Sequence, residues 1–274
     1  MELIEFMVRG KHKDTSRYRN EHIKAISEDQ CRREALEKGL LEPYVITIVP
    51  PMDPTKKQLE YAKNLKIEIP QGASISDVSV LIVRATSDRS TPSLELLEYA
   101  NGREMVFNKY IGKKALYNLV FGKLKGKDKI AFFLFCVYRW LSDDRYGNLD
   151  KHQYKDKFYI LAETLVNNES FIQSMNRYSG ESIRYFGEFH TNGGIIHSGG
   201  SIDTIAYKTA SKIICDEFGL KNRRTKTIHD ASEDIENPNV IRIKVPETKP
   251  KLGCLLPVVS FFMVTILLLA FILR

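Results

Sequence analysis

The chain opens on alternation. Residues 3–8 (LIEFMV) and 21–26 (EHIKAI) predict two short strands joined by the polar run GKHKDTSRYRN. The rhythm then turns helical. Ser27 stands three residues before Gln30 in capping-box spacing, Cys31, Ala35 and Leu36 form an apolar stripe, and Gly39 stops the helix. YVITIV follows as a third strand, so residues 1–50 predict a β-β-α-β module too small to hold a core by itself. Residues 51–86 predict a helical hairpin. Leu59, Ala62 and Leu65 share one face, and Val78, Leu81, Ile82 and Ala85 share another. Its first helix has two candidate starts, Asp53 with Pro54 or Thr55 with Gln58, and its second is placed from Ser76.

A polar linker leads to a mainly helical domain over residues 94–218. LELLEYA ends at Asn101-Gly102, and EMVFNKYIGKKALYNLVFGKL keeps helical spacing around Gly112 and Gly122. IAFFLFCVYRWL, the most apolar run of the body, is too short to span a bilayer and reads as a central buried helix. FYILAETLV, SFIQSMNRYSG and TIAYKTASKIICDEF supply further helices around it. Residues 219–253 read as a tether in which VIRIKV offers one more strand. From Cys254 to Leu273 (254–273) the chain carries twenty residues without a charge. At about 1.5 Å per residue these form a rod of roughly 30 Å, a bilayer's apolar thickness. The fold class expected is therefore α+β: a mainly helical cytoplasmic body, a small N-terminal β-β-α-β unit and one C-terminal transmembrane helix.

Charge and cysteines refine this picture. Arg242, Lys244, Lys249 and Lys251 precede the apolar run against one Glu247, which orients a single-pass protein with its N-terminal body in the cytoplasm. Cys31, Cys136, Cys215 and Cys254 are widely spaced with no CxxC pair, which argues against a zinc ribbon or a disulfide framework. No metal or cofactor is implied. The chain's excess of Lys and Arg, 41 − 34 = +7, equals that of the stretch from Arg103 to Lys157, 13 − 6 = +7. The basicity is local.

Two resemblances accompany these patterns. Thr55-x-x-Gln58-x-x-Tyr61-Ala62-x-x-Leu65-x-Ile67, followed by Asp77-x-x-x-Leu81-Ile82, resembles a short helix-hairpin repeat of bacterial and phage proteins, several associated with DNA transactions; residues 53–85 carry it. KAISEDQCRREALEKGLLEPYVITIV is similar to small β-β-α modules of bacterial membrane-machinery proteins. The whole arrangement, with its apolar run at the end, looks like that of a tail-anchored protein.

Three clusters are candidates for chemistry. Lys109, Lys113, Lys114, Lys123, Lys125, Lys127 and Lys129, interleaved with Tyr110, Tyr117 and Phe121, form a patch suited to phosphates of a nucleic acid, a nucleotide or an anionic lipid. A solvated lysine-rich surface would read the same way. Arg139, Asp143, Asp144, Arg145 and Asn148 follow the central helix, where two carboxylates and two arginines fit either a phosphate site or helix-end capping. Gly193, Gly194, Gly199, Gly200 and Ser201, with His190 and His197, form a glycine loop before a helix, suited to an anion or to a simple hairpin. Asp143, Asp144, Arg145 and His197 are the catalytic candidates if the chain is an enzyme. The apolar run and the charge asymmetry favour a membrane-tethered binding protein for a phosphate-bearing ligand over a phosphoester- or nucleotide-processing enzyme, whose site would have to be assembled from separate segments and which shows no Ser-His-Asp order, HExxH helix or Walker loop; a protein–protein adaptor at the membrane stays open as a third reading.

Overall fold

The computed structural model describes residues 3–87, 90–190 and 196–221, all within one compact unit, Met1–Asp234. The fold is α+β. Strand β1 (Ile4–His12) lies between β2 (Tyr18–Ala25) and β3 (Leu40–Val49), antiparallel to both. Phe6 stands opposite Ile23 and Ile48, and the ladder to β3 shifts register between Arg9 and Lys11. Helix α1 (Glu28–Glu37) covers one face of this sheet, burying Cys31 and Ala35 against Phe6, Val8, Ile23 and Ala25. Its cap does two tasks. The Ser27 side chain accepts from the Gln30 N–H, while the Gln30 amide donates to the Glu104 carbonyl at 2.8 Å and ties the module to the helical domain.

Helices α2 (Lys56–Asn64) and α3 (Ile75–Ser87) form the hairpin, packed on Ala62, Ala73 and Val78. Of the two candidate starts, α2 takes Thr55, with the full capping box to Gln58. Helix α3 begins one residue before Ser76: the Ser74 hydroxyl accepts from the Asp77 N–H, and the Asp77 carboxylate accepts from the Ser74 N–H.

The helical domain comprises α4 (Leu94–Gly102), α5 (Lys113–Lys123), α6 (Gly126–Ser142), α7 (Lys155–Leu165), α8 (Glu169–Met175) and α9 (Ile205–Phe218). Strands β4 (Glu188–His190) and β5 (Ile196–Ser198) pair as an antiparallel hairpin between α8 and α9. Helix α6 is the axis of the core. Every residue from Ile130 to Tyr138 is buried, and α6 packs against α7 and α9. The helical spacing read over residues 104–112 is not realised: α5 starts only at Lys113, and Met105 reaches the core from a turn.

The expected transmembrane helix requires correction. No helix among the described residues is long and apolar enough to cross a membrane. The longest, α6, has 17 residues and spends its apolar surface on the protein core. A span needs about 20 residues in one continuous helix, a condition that the apolar composition of a run does not itself satisfy. The run from Cys254 to Leu273, the tether from residue 222 on and the VIRIKV segment lie outside the described residues, while Gly219, expected in the tether, caps the end of α9. The tail-anchored, single-pass placement and the orientation drawn from it are therefore set aside.

Candidate functional site

The three clusters read from the sequence take different roles in the structure. The arginine and aspartate cluster closes the chain back on the end of α6. Asp143 ends the helix in the left-handed region with φ 61°. Arg139 then gathers the turn: Nε donates to the Asp144 carbonyl at 3.2 Å, one terminal nitrogen to the Arg145 carbonyl at 2.9 Å and the other to the Tyr117 hydroxyl at 2.6 Å. The Asp144 carboxylate sits 2.9 Å from Nε2 of His152, a buried ring packed among Phe135, Tyr138 and Phe158. Buried Asn148 accepts from the Asp150 and Lys151 N–H groups. Arg139 thus holds backbone carbonyls of the turn after α6, and Asn148 caps the short 3-10 turn that follows. His152, absent from the sequence reading, is the partner of Asp144. Its spacing of eight from Asp144 gave no periodic signal.

The lysines do not form one patch. Lys113 and Lys114 stand at the start of α5 and Lys123 at its end, roughly 15 Å apart by helix rise. Lys114 pairs with Glu181 at 2.8 Å, Lys127 with Glu163, and Lys129 lies 4.5 Å over the Phe121 ring, where burial lowers its pKa. Lys123 and Lys125 are exposed. The Lys109 ammonium lies 5.2 Å from the centroid of the Tyr110 ring.

The glycine loop is a packing device on the side that is described. A Cβ on Gly199 would fall 2.2 Å from the Tyr185 ring, and one on Gly200 would fall 2.7 Å from the Ser182 carbonyl oxygen. Ser201 is not the cap of α9: Thr204 is, accepting from the Tyr207 N–H at 3.1 Å, while the Ser201 carbonyl accepts from Tyr178. Gly193 and Gly194 lie outside the described residues, and His190 and His197 are placed as strand positions of the β4–β5 hairpin.

A site that the sequence did not show lies where its modules meet. A cavity of about 340 Å³ is lined by the start of β1, the end of β3, Pro50 to Met52, the first turn of α3 and the turn at Asn108 and Lys109. Lys24 enters it from β2, with Nζ 3.5 Å from the Ser76 hydroxyl. Its two carboxylates are already engaged: Glu5 lies 2.9 Å from His22, and Asp77 accepts from Ser74 and, at 2.7 Å, from the Asn108 amide. Neither Lys24 nor Lys109 is in an ion pair with a carboxylate among the described residues. Residues 24, 76 and 109 are too far apart in the chain for spacing to unite them. A second, mainly apolar cavity of about 240 Å³ lies between α3 and the start of α5. Among the described residues no three His, Cys, Asp or Glu side chains come together to hold a metal ion.

Asp77 couples this cavity to stability. Burial raises its pKa, but the Ser74 N–H, the Asn108 amide, the Ser74 hydroxyl and nearby Lys109 outweigh that and leave it below the usual carboxylate value. A depressed folded pKa means that the unfolded chain binds more protons at acid pH. The contribution is therefore complete above about pH 4 and is lost as pH falls through the folded value. Asp77→Asn is expected to cost about 1 kcal/mol at neutral pH and to flatten the acid limb of stability. Urea midpoints of both proteins from neutral pH down through pH 4 check this, and parallel acid limbs would separate Asp77 from the effect.

Comparison with protein-family models, with curated proteins and with solved structures finds no match for this chain.

Proposed function

We propose that this chain is a binding module for a phosphate-bearing ligand of nucleotide size, taken up in the cavity between the sheet module, the hairpin and the Asn108 turn. The observation that carries the reading is the convergence of Lys24 and Lys109 on one cavity whose two carboxylates, Glu5 and Asp77, are hydrogen-bonded to groups other than these lysines. Two ammonium groups outside any ion pair, a serine hydroxyl and the apolar side chains of Ile4, Ile48 and Ile75 suit an anion attached to a flat apolar group. The volume falls within the range of small-molecule sites. The Asp144–His152 pair supports no catalytic counterpart, since it is committed to closing the α6 turn and neither of the two cavities above includes it.

Calorimetric titration of the full-length protein with inorganic phosphate, pyrophosphate and adenosine triphosphate tests this. Saturable binding is expected to strengthen along that series and to weaken about tenfold in Lys109→Gln, the loss of one charge-assisted contact. Lys125→Gln, on the exposed turn before α6, is expected to bind like the wild type. No binding of any probe, or unchanged affinity in a Lys24→Gln, Lys109→Gln double variant, overturns the reading.

A further inference from the structure

The three-stranded sheet has a second face, and its charge is lopsided. Helix α1 covers the face of Phe6 and Val8, so the alternate positions of the strands point the other way. On β1 these are Glu5, Met7, Arg9 and Lys11; Arg9 stands opposite Asn20 and Val45, and Lys11 opposite Tyr18. The Tyr18 ring is 63% exposed, with the Arg9 guanidinium 5.9 Å and the Lys11 ammonium 5.7 Å from its centroid. Val45, 66% exposed, extends an apolar strip beside them. From Arg9 to Arg19 the hairpin holds five Lys or Arg against Asp14, 5 − 1 = +4. None of those five cations is in an ion pair with a described residue. Four of the module's nine acids, Glu28, Asp29, Glu34 and Glu37, belong to α1 on the opposite face, and Glu5, on the open face, lies 2.9 Å from His22.

We propose that this open face binds single-stranded nucleic acid, with a base on Tyr18 and the backbone phosphates along Arg9, Lys11 and the hairpin. A polyanion answers the unpaired cations, and a base answers the ring between them. A strand surface bearing an exposed aromatic and an apolar neighbour accepts unstacked bases, which a duplex hides and a lipid headgroup lacks. The surface is distinct from the phosphate cavity: neither Tyr18, Arg9 nor Lys11 lines that cavity.

Fluorescence anisotropy of the full-length protein with a labelled oligothymidylate of about 12 nucleotides tests the proposal, beside phosphatidylcholine vesicles with and without phosphatidylserine. Binding is expected with a log–log salt slope of about −2, for three phosphates at roughly 0.7 each. Tyr18→Ala is expected to weaken it about tenfold or more. Arg9→Gln with Lys11→Gln is expected to cut the slope by about 1.4. All three side chains are exposed, so each variant is expected to unfold at the wild-type midpoint, and phosphate or nucleotide titration of the cavity is expected to be unchanged in them. The proposal is overturned by no oligonucleotide binding, by binding that ignores both variants, or by anionic vesicles binding in preference to the oligonucleotide.

Discussion

Phe133→Ala is expected to lower the unfolding free energy by about 3–5 kcal/mol, the usual cost of emptying a fully buried phenylalanine site. Phe133 is 0% exposed at the middle of α6. Its ring meets Phe171 on α8 at 6.0 Å and Phe186 at 5.9 Å, both edge-on, with Tyr178 at 5.3 Å and Phe121 on α5 at 6.5 Å. Such pairs add about 0.5–1.5 kcal/mol each beyond area burial. The truncation therefore loosens α5, α8 and the segment before β4 from the axis at once. Rigid backbone contacts nearby prevent collapse into the void: Gly180 approaches the Tyr117 carbonyl so closely that a Cβ there would lie 1.9 Å from its oxygen. Phe133→Leu, which keeps most of the volume, is expected to cost about half as much. Urea unfolding followed by far-ultraviolet circular dichroism measures both. A loss below about 1 kcal/mol in the alanine variant would mean that this cluster is not what holds the helical domain together.

That core was legible because its signal is local. Ile130 to Val137 is apolar whichever face is considered, and such a helix has to be surrounded. The β module was legible for the same reason, since alternation at Phe6, Val8 and Ile23 assigns a buried face without knowledge of the partner. Caps are local too, and Ser27, Thr55 and Asn148 each accept from an N–H within three residues. The candidate sites depended on long-range geometry. Lysines adjacent in sequence diverge along α5 or find carboxylates such as Glu163 and Glu181, which no spacing rule pairs with them. Glycines that suggest a ligand loop can equally record how closely Tyr185 packs. The cavity of Lys24 and Lys109 draws on the sheet module, the hairpin and the helical domain, and it exists only once those have docked. The Arg103 network also escaped notice. Its guanidinium bonds both oxygens of Asp150 and the Tyr159 hydroxyl, which in turn donates to Asp128. Burial raises the Tyr159 pKa to about 12, so the network keeps its protons through the neutral range.

Arg139 shows how one residue can carry the signature of a ligand site while serving the fold, and Arg139→Met separates the two roles. Methionine keeps the apolar stem against Phe135, whose ring lies 5.6 Å from the guanidinium carbon, and removes the fork that holds the Asp144 and Arg145 carbonyls and the Tyr117 hydroxyl. Tyr117 is 2% exposed, so its hydroxyl loses its partner with no water to replace it. An unsatisfied buried polar group costs about 1–3 kcal/mol, while release of the guanidinium's own desolvation offsets part of the total. A net loss of about 2 kcal/mol is expected. It should be accompanied by a shift of the His152 ring resonances, because Asp144 is held at that ring by the same turn. Arg139→Lys is expected to recover only part of the loss, since an ammonium cannot reach three acceptors from one plane. Phosphate and nucleotide titrations should be unaffected in whatever fraction remains folded, because the cavity does not include this turn. The opposite pattern, wild-type stability with binding abolished, would return Arg139 to the ligand and move the site from the module junction to the end of α6.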